Sequence, residues 1–388
     1  MENNTKKYLL PVLLALVACL AVYLAYNSGK TSADARLAAQ QEVIEELNVE
    51  QELLHELNRA SVEKLDVEEG ATIYVVGHMN PDTDTVCSAI AYARLLNMLG
   101  YKAEARVSGQ LNKETTLVLQ EIGVECPEEL VDASGESIFL VDHSEYAQAV
   151  PGMEEAHIVG VLDHHGIGNV STGNLVVYEA RPIGATATIV WLDYLNYGLE
   201  LDQNTAKVLL SAVLSDTNNL TGSTTTQADR IARDKLQETA QFADIDELYR
   251  KMREQALSYE GMTDEEILFL DYKEYESGGV KYGIGLVNSI DEDASRNLAE
   301  RMKKAMEEYF STRDVDLMYA SVGIREGDIK IDYIVPADER SEVTFRNAFP
   351  NFSEFDGTSY IFRDGGLGRK TKFVPVFNDY LAAHPQDQ

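Results

Sequence analysis

The sequence predicts an α/β chain of two domains, a parallel-sheet domain followed by a smaller mixed α/β domain, preceded by a membrane-anchor helix and a helical stalk. Three observations predict it. Short apolar, β-branched runs alternate with helical patterns from about residue 70 onward, which is how a parallel sheet covered on both faces reads. A charged helical stretch at residues 224–262 ends that pattern, and shorter strand and helix patterns follow. A length of 388 residues fits two to three domains of roughly 150 residues each.

Composition narrows the function. Lys and Arg number 33 against 65 Asp and Glu, a net charge of −32. A field of that sign repels nucleic acid and anionic lipid, which excludes a general nucleic-acid binder. An anionic substrate would need the field reversed locally, by metal ions or clustered basic residues. The three cysteines, Cys19, Cys87 and Cys126, cannot build a disulfide framework.

Residues 8–26 carry no charge and are long enough to span a bilayer core as a helix. Lys6 and Lys7 precede them. The expectation is an N-terminal signal anchor within residues 1–30, with the globular part on the extracytoplasmic side. Leu16-Val17-Ala18-Cys19 also resembles a lipoprotein cleavage box with an acylated Cys19, although the apolar run continues to Tyr26. Residues 31–66 read as a helical stalk. Leu37, Val43, Ile44, Leu47, Leu54, Leu57 and Val62 recur at helical steps, with Ser32 and Asp34 as caps. The stripe is short and imperfect for a coiled coil, and a homodimer stays open.

The domain beginning near residue 67 repeats one grammar three times. An apolar run at 73–77 ends in His78-Met79-Asn80-Pro81-Asp82-Thr83-Asp84. A second at 138–141 ends in Asp142-His143, and a third at 157–162 ends in Asp163-His164-His165. Ligands in parallel α/β sheets bind beyond the carboxyl ends of the strands. One Asp there is ordinarily a cap. Three such ends, holding five of the seven histidines between His78 and His165, point to a site. Imidazole with carboxylate suits Mn²⁺, Fe²⁺, Co²⁺ or Zn²⁺, and no cysteine accompanies them as a structural zinc site would need. The candidates exceed one ion's needs, which suggests two ions sharing a carboxylate and able to clamp a phosphoryl group. His164 and His165 can face one pocket only if the strand has already ended.

These residues resemble a known family. Gly77-His78-Met79-Asn80-Pro81-Asp82-Thr83-Asp84 with Asp163-His164-His165 is similar to the DHH phosphoesterase superfamily, and within it to the manganese-dependent (family II) inorganic pyrophosphatases. Residues 140–143, 182–188, 214–217 and Gly368-Arg369-Lys370-Thr371-Lys372 resemble further segments of that family. The resemblance implies a catalytic domain at 67–252 and a DHHA2-like substrate-binding domain at 266–382, with the site in the cleft between them. It implies His78, Asp82 and Asp142 on one Mn²⁺, and Asp84, Asp142, His164 and Asp216 on a second. Co²⁺ or Mg²⁺ are substitutes, and further Mg²⁺ arrives with substrate. His165 would protonate the leaving phosphate, Asp163 would orient a ligand histidine, and Lys273, Arg369 and Lys370 would hold the phosphates. Gly368 and Lys372 stand where the family usually has Ser and Gln.

An interdomain linker is expected around 252–266. Strands are expected at 282–289, 317–324, 329–335 and 360–363, with a helix at 294–310. Cys87 and Trp191 are expected in the core. The resemblance implies hydrolysis of pyrophosphate by a hydroxide bridging the metals. The rivals are an exopolyphosphatase, a DHH-type phosphodiesterase for oligonucleotides or cyclic dinucleotides, and a non-catalytic metal or anion receptor.

Overall fold

The structure is a computed structural model that describes residues 17, 19–24, 33–326, 329–363 and 365–384. Most of the expected span at 8–26 and the Ser32 cap lie outside these. Among the described residues no helix is long and apolar enough to cross a membrane. The stalk is a helix, α1 (Ala33–Ser61).

The first domain is a six-stranded, all-parallel sheet in the order β3-β2-β1-β4-β5-β6. Its strands are β1 (Ile73–Val76), β2 (Ala103–Val107), β3 (Glu128–Glu129), β4 (Ser137–Val141), β5 (His157–Asp163) and β6 (Val177–Ala180). Its helices are α2 (Thr83–Met98), α3 (Lys113–Ile122), α4 (Thr186–Asn196), α5 (Gln203–Asp216), α6 (Gln227–Ala240) and α7 (Ile245–Ala256). Strand alternation explains the continuous apolar runs. Ile73, Val75, Phe139 and Val141 enter the core under the helices. Val76, Ile138, Leu140 and Val161 enter a second core. Met153 of a 3₁₀ turn (Met153–Glu155) packs in this second core. Gly160 is required in β5, because a Cβ there would lie 2.1 Å from the Phe139 ring. Cys87 and Trp191 are in the core, as expected.

The central β1 pairs with β2 on one side and β4 on the other. The chain order reverses there, and the strand ends around such a switch point leave an open crevice.

The second domain is a mixed sheet in the order β11-β12-β10-β9-β8-β7. Its elements are α8 (Asp264–Phe269), β7 (Tyr272–Ser277), β8 (Val280–Ser289), α9 (Glu292–Tyr309), β9 (Leu317–Glu326), β10 (Ile329–Pro336), α10 (Glu339–Ala348), β11 (Glu354–Phe355), β12 (Tyr360–Phe362) and α11 (Val374–Ala383). Among the described residues, only β8 and β9 of this sheet pair in parallel. Met302 and Met306 of α9 cover one face, and Phe345 of α10 and Phe377 of α11 cover the other. The expected linker is partly helical: α7 runs through Ala256 and α8 starts at Asp264, leaving 257–263 irregular. Lys113 Nζ donates to the carbonyl of Glu260 in this stretch at 2.9 Å.

The far end of α1 docks on the first domain. Asn58 Nδ2 donates to the Asn196 carbonyl at 2.9 Å, and Val62 is buried in the core. Tyr101, just before β2, donates to the Val62 carbonyl at 2.5 Å and accepts from the Leu65 amide at 3.1 Å. His157, the first residue of β5, places Nε2 2.5 Å from the Asp66 carbonyl. These contacts all lie at the amino ends of the strands.

Candidate active site

The site is built at the carboxyl ends of β1, β4 and β5. Asp82 caps α2 and accepts from the Thr85 amide at 2.9 Å. Asp84 sits in the first turn of α2, fully buried, and accepts from the Thr186 and Ala187 amides at 2.6 and 2.9 Å. Those amides are the N-terminus of α4, whose orphan donors and dipole favour an anion. Asp142 directly follows β4, with φ +66°. That left-handed conformation is strained for a residue with a Cβ and marks functional turns. Asp216 ends α5, whose last turn is tied to α3 by Ser215 Oγ donating to Glu114 Oε1 at 2.5 Å.

Asp142 is the hub. His78 Nε2 lies 3.5 Å from Asp142 Oδ2 and 3.5 Å from Asp82 Oδ2. His164 Nε2 lies 3.4 Å from Asp142 Oδ1 and 3.4 Å from Asp216 Oδ2. Potential ligand atoms of His78, Asp82 and Asp142 lie within 4.8 Å of one another, as do those of Asp84, His164 and Asp216. The structure therefore brings together all six expected ligands in two groups joined by Asp142. Each Asp142 oxygen also receives one hydroxyl, Oδ2 from Thr85 at 2.7 Å and Oδ1 from Thr186 at 3.0 Å. The sequence reading missed these two threonines. The only signal for them was their place beside Asp84 and inside the segment 182–188.

The histidine tautomers show what the groups can hold. His78 Nδ1 lies 2.9 Å from the Met79 carbonyl and His164 Nδ1 2.9 Å from the Ile183 carbonyl. A carbonyl only accepts, so in the neutral ring each Nδ1 carries the proton and each Nε2 offers a lone pair. His164 Nε2 is buried without a hydrogen-bond partner, yet it faces two carboxylates. Lone pair against carboxylate is resolved by a cation, and the donor set fits Mn²⁺-class ions.

Without a cation the same atoms compete for protons. Burial lowers the pKa of His78 and His164, but Asp142 beside both outweighs it, pushing them up to about 11 and about 10. Burial and then neighbouring carboxylates push Asp216 up to about 10 and Asp84 up to about 8. Burial alone would raise Asp142, but His164 and His78 hold it far below the usual carboxylate range.

His165 is exposed at the edge of the cluster: its Nδ1 lies 3.8 Å from Asp142 Oδ1, and with Asp142 and His164 it forms a third group whose ligand atoms lie within 4.8 Å of one another. Its backbone amide donates to Asp163 Oδ1 at 2.9 Å, and its Nδ1 lies 3.1 Å from the same oxygen. Asp163 Oδ2 accepts from Ser144 Oγ at 3.0 Å. The expected role of Asp163 is to orient a ligand histidine; in the structure its Oδ1 meets His165, while His164 Nδ1 turns to the Ile183 carbonyl. The Asp163 hydrogen bond raises the His165 pKa, against partial burial. His143 is buried, with Nδ1 3.2 Å from the Val141 carbonyl and Nε2 unpartnered.

The basic residues lie in the second domain. Lys273 on β7 and Lys370 are exposed. Arg369 opens a π-helical turn (Arg369–Phe373) and is buried. Its Nη2 donates to Asp271 Oδ1 at 2.6 Å and its Nη1 to the Asp271 carbonyl at 2.5 Å. Among the described residues, no hydrogen bond or ion pair joins Lys273, Arg369 or Lys370 to the ligand cluster. Lys372 Nζ folds back onto the Gly366 carbonyl at 3.0 Å.

A parallel sheet with carboxylate and imidazole ligands at its strand ends, followed by a mixed-sheet domain carrying an Arg-Lys pair, defines the two-domain DHH class. The family models agree: the DHH family, N-terminal domain, matches residues 72–213, and the DHHA2 domain matches residues 250–380. The manganese-dependent inorganic pyrophosphatase of Bacillus subtilis is 34% identical over 314 residues, 80% of this chain and 99% of its own length. A protein of Archaeoglobus fulgidus assigned the same name is 34% identical over 326 residues, 80% of this chain and 98% of its own. The crystal structure of a Methanococcus jannaschii protein assigned as a family II inorganic pyrophosphatase has 31% identity and a TM-score of 0.51, covering 80% of this chain and 99% of that one. The chain belongs to the manganese-dependent inorganic pyrophosphatase family.

Proposed function

We propose that this chain hydrolyses inorganic pyrophosphate to two orthophosphates with two Mn²⁺ ions. The observation that carries the reading is the pair of histidine Nε2 atoms facing opposite oxygens of one buried carboxylate, Asp142. His78, Asp82 and Asp142 would hold one ion, and Asp84, Asp142, His164 and Asp216 the other. When bound, the ions acidify a water and neutralise charge on the phosphoryl group.

The chain's own residues supply the rest. Asp163 holds His165 in place and favours its protonated form, which suits a general acid that gives its proton to the leaving phosphate oxygen. Lys273 and Lys370 offer unburied ammonium groups for phosphate oxygens. Arg369 spends both Nη atoms on Asp271, leaving a buried Nε–H without a partner, so it would reach phosphate only by leaving Asp271. Closure of the second domain onto the first would exclude water and bring these groups to the anion. The residues before α1 would anchor the protein in a membrane, with the catalytic domains on the extracytoplasmic side.

The test is phosphate release by the full chain with Mn²⁺ from pyrophosphate, tripolyphosphate, long polyphosphate and a dinucleotide, assayed side by side. Preference for pyrophosphate supports the reading. Preference for a longer or nucleotidic substrate overturns the substrate while leaving the metal centre, and stoichiometric metal without any turnover returns the chain to a receptor.

A further inference from the structure

The stalk helix carries an apolar seam that the single chain leaves open. Written as heptads abcdefg with Leu37 at a, Ile44 is also at a, and Leu47 and Leu54 are at d. Their exposures are 58%, 55%, 41% and 49%. Gln40 at d and Gln51 at a are exposed as well. From Leu37 to Leu54 the seam runs about 27 Å at the helical rise. A helix this polar, lacking tertiary packing over most of its length, is marginal in water by itself.

The charges say what covers the seam. Glu45 and Glu52 fall at b, Glu46 at c, and Glu42 and Glu56 at f, all on the side away from it. The flanking e positions hold Gln41, Asn48 and His55, none of them acidic. Glu50 is the one acid beside the seam, at g, and its Oε2 is buried without a hydrogen-bond partner. In a parallel pair, g of one helix meets e of the next heptad on the other. Glu50 then faces the partner's His55.

We propose that α1 pairs in parallel with α1 of a second copy of this chain, as a two-stranded coiled coil over Leu37–Leu54. Ile44, the one β-branched residue at a, with Leu47 and Leu54 at d, favours two strands over three. His55 lies at the docked end of the helix, where a Cβ on Gly198 would meet its Nδ1 at 2.3 Å. The pair therefore ends where each helix joins its own catalytic domain, at the amino ends of the strands, and both sites stay open.

The test uses the full chain in detergent, with Cys19→Ser and Cys126→Ser to remove the exposed thiols. Single cysteines are added at seam positions (Ile44→Cys, Leu47→Cys, Leu54→Cys) and on the outer face (Glu45→Cys, Val49→Cys), then oxidised with copper–phenanthroline. The expected result is disulfide-linked dimer at all three seam positions and at neither outer one. Adding Leu47→Glu should cut Ile44→Cys cross-linking at least tenfold, while an unchanged melting temperature shows the domains are folded. Cross-linking at the outer positions to the same extent, at only one seam position, or at none overturns the proposal. An antiparallel pair gives the single-position result, and a dimer formed through the catalytic domains gives none.

Discussion

The hydroxyl of Thr85 donates a 2.7 Å hydrogen bond to Oδ2 of Asp142, the carboxylate oxygen that faces His78. Thr186 treats Oδ1 the same way on the His164 side. The two hydroxyls fix the carboxylate's rotation, so that each oxygen addresses one ligand group. Removing such a partner ordinarily costs about 10–100-fold in metal affinity. Thr85→Val is expected to weaken Mn²⁺ binding by that factor, and Thr85→Ser to restore it, measured by calorimetric titration of the metal-free protein. Equal affinities for Val and Ser would show that the hydroxyl does not matter. Gly77→Ala should act at the same point, since its Cβ would lie 2.3 Å from Thr85 Cγ2.

His165 is held by Asp163 and is not among the six ligands. His165→Ala should reduce turnover by about 10²–10⁴-fold while two ions still bind. The sign of the pH effect follows from the raised His165 pKa. An acid must be protonated to act, so activity falls as pH rises through that pKa. Asp163→Asn removes the carboxylate that raises it, and the alkaline limb of kcat/KM should move to lower pH. An unmoved limb would separate Asp163 from the acid.

Metal binding should release protons. His78, His164, Asp216 and Asp84, with pKa values pushed up to about 11, 10, 10 and 8, hold protons at neutral pH when no cation is present. Ions take those places only in the deprotonated form. Apparent Mn²⁺ affinity should therefore rise between pH 6 and 9 on the order of tenfold or more. Calorimetry in buffers of different ionisation enthalpy should count at least one proton released.

Asp193 on α4 carries a stability prediction away from the site. It is buried, its Oδ2 lacks a partner, and burial with nearby Glu179 pushes its pKa up to about 8. The folded state keeps this proton while the unfolded state loses it near pH 4. The group's contribution to stability is thus complete below pH 4 and declines as pH rises toward 8. With Mn²⁺ saturating, Asp193→Asn should stabilise the fold on the order of 2 kcal/mol at pH 8 and leave it unchanged at pH 4. Thermal melts at both values check this.

The convergence of the candidate ligands was legible because three apolar strands each stop at Asp or His, and a strand's end is where a parallel sheet keeps its ligands. The pairing of Asp163 with His165 was not, because it depends on which way His164 turns once the strand has ended, and the Ile183 carbonyl decides that. Thr85 and Thr186 were hidden by their commonness: a threonine beside a helix start reads as a cap. Arg369 was legible as a rare cation, but its bond to Asp271 joins residues 98 apart, a distance no local pattern bridges. In the second domain, the four expected strands and the helix at 294–310 are present as β8, β9, β10, β12 and α9. The short β7, α8 and β11 and the helices α10 and α11 were not read from the sequence.

The docking of Val62, Asp66 and Tyr101 at the amino ends of the strands gives the catalytic domain a rear and a front. The stalk helix joins the sheet at one end of its strands, and the candidate ligands gather at the other. A helix joined to the domain in this way fixes the direction in which the strand ends face relative to its axis, as a handle does for a lamp. Lengthening α1 by seven residues should move the catalytic unit about 10 Å along the helix axis with little rotation, whereas adding two residues should turn it by roughly half a turn while its chemistry stays the same.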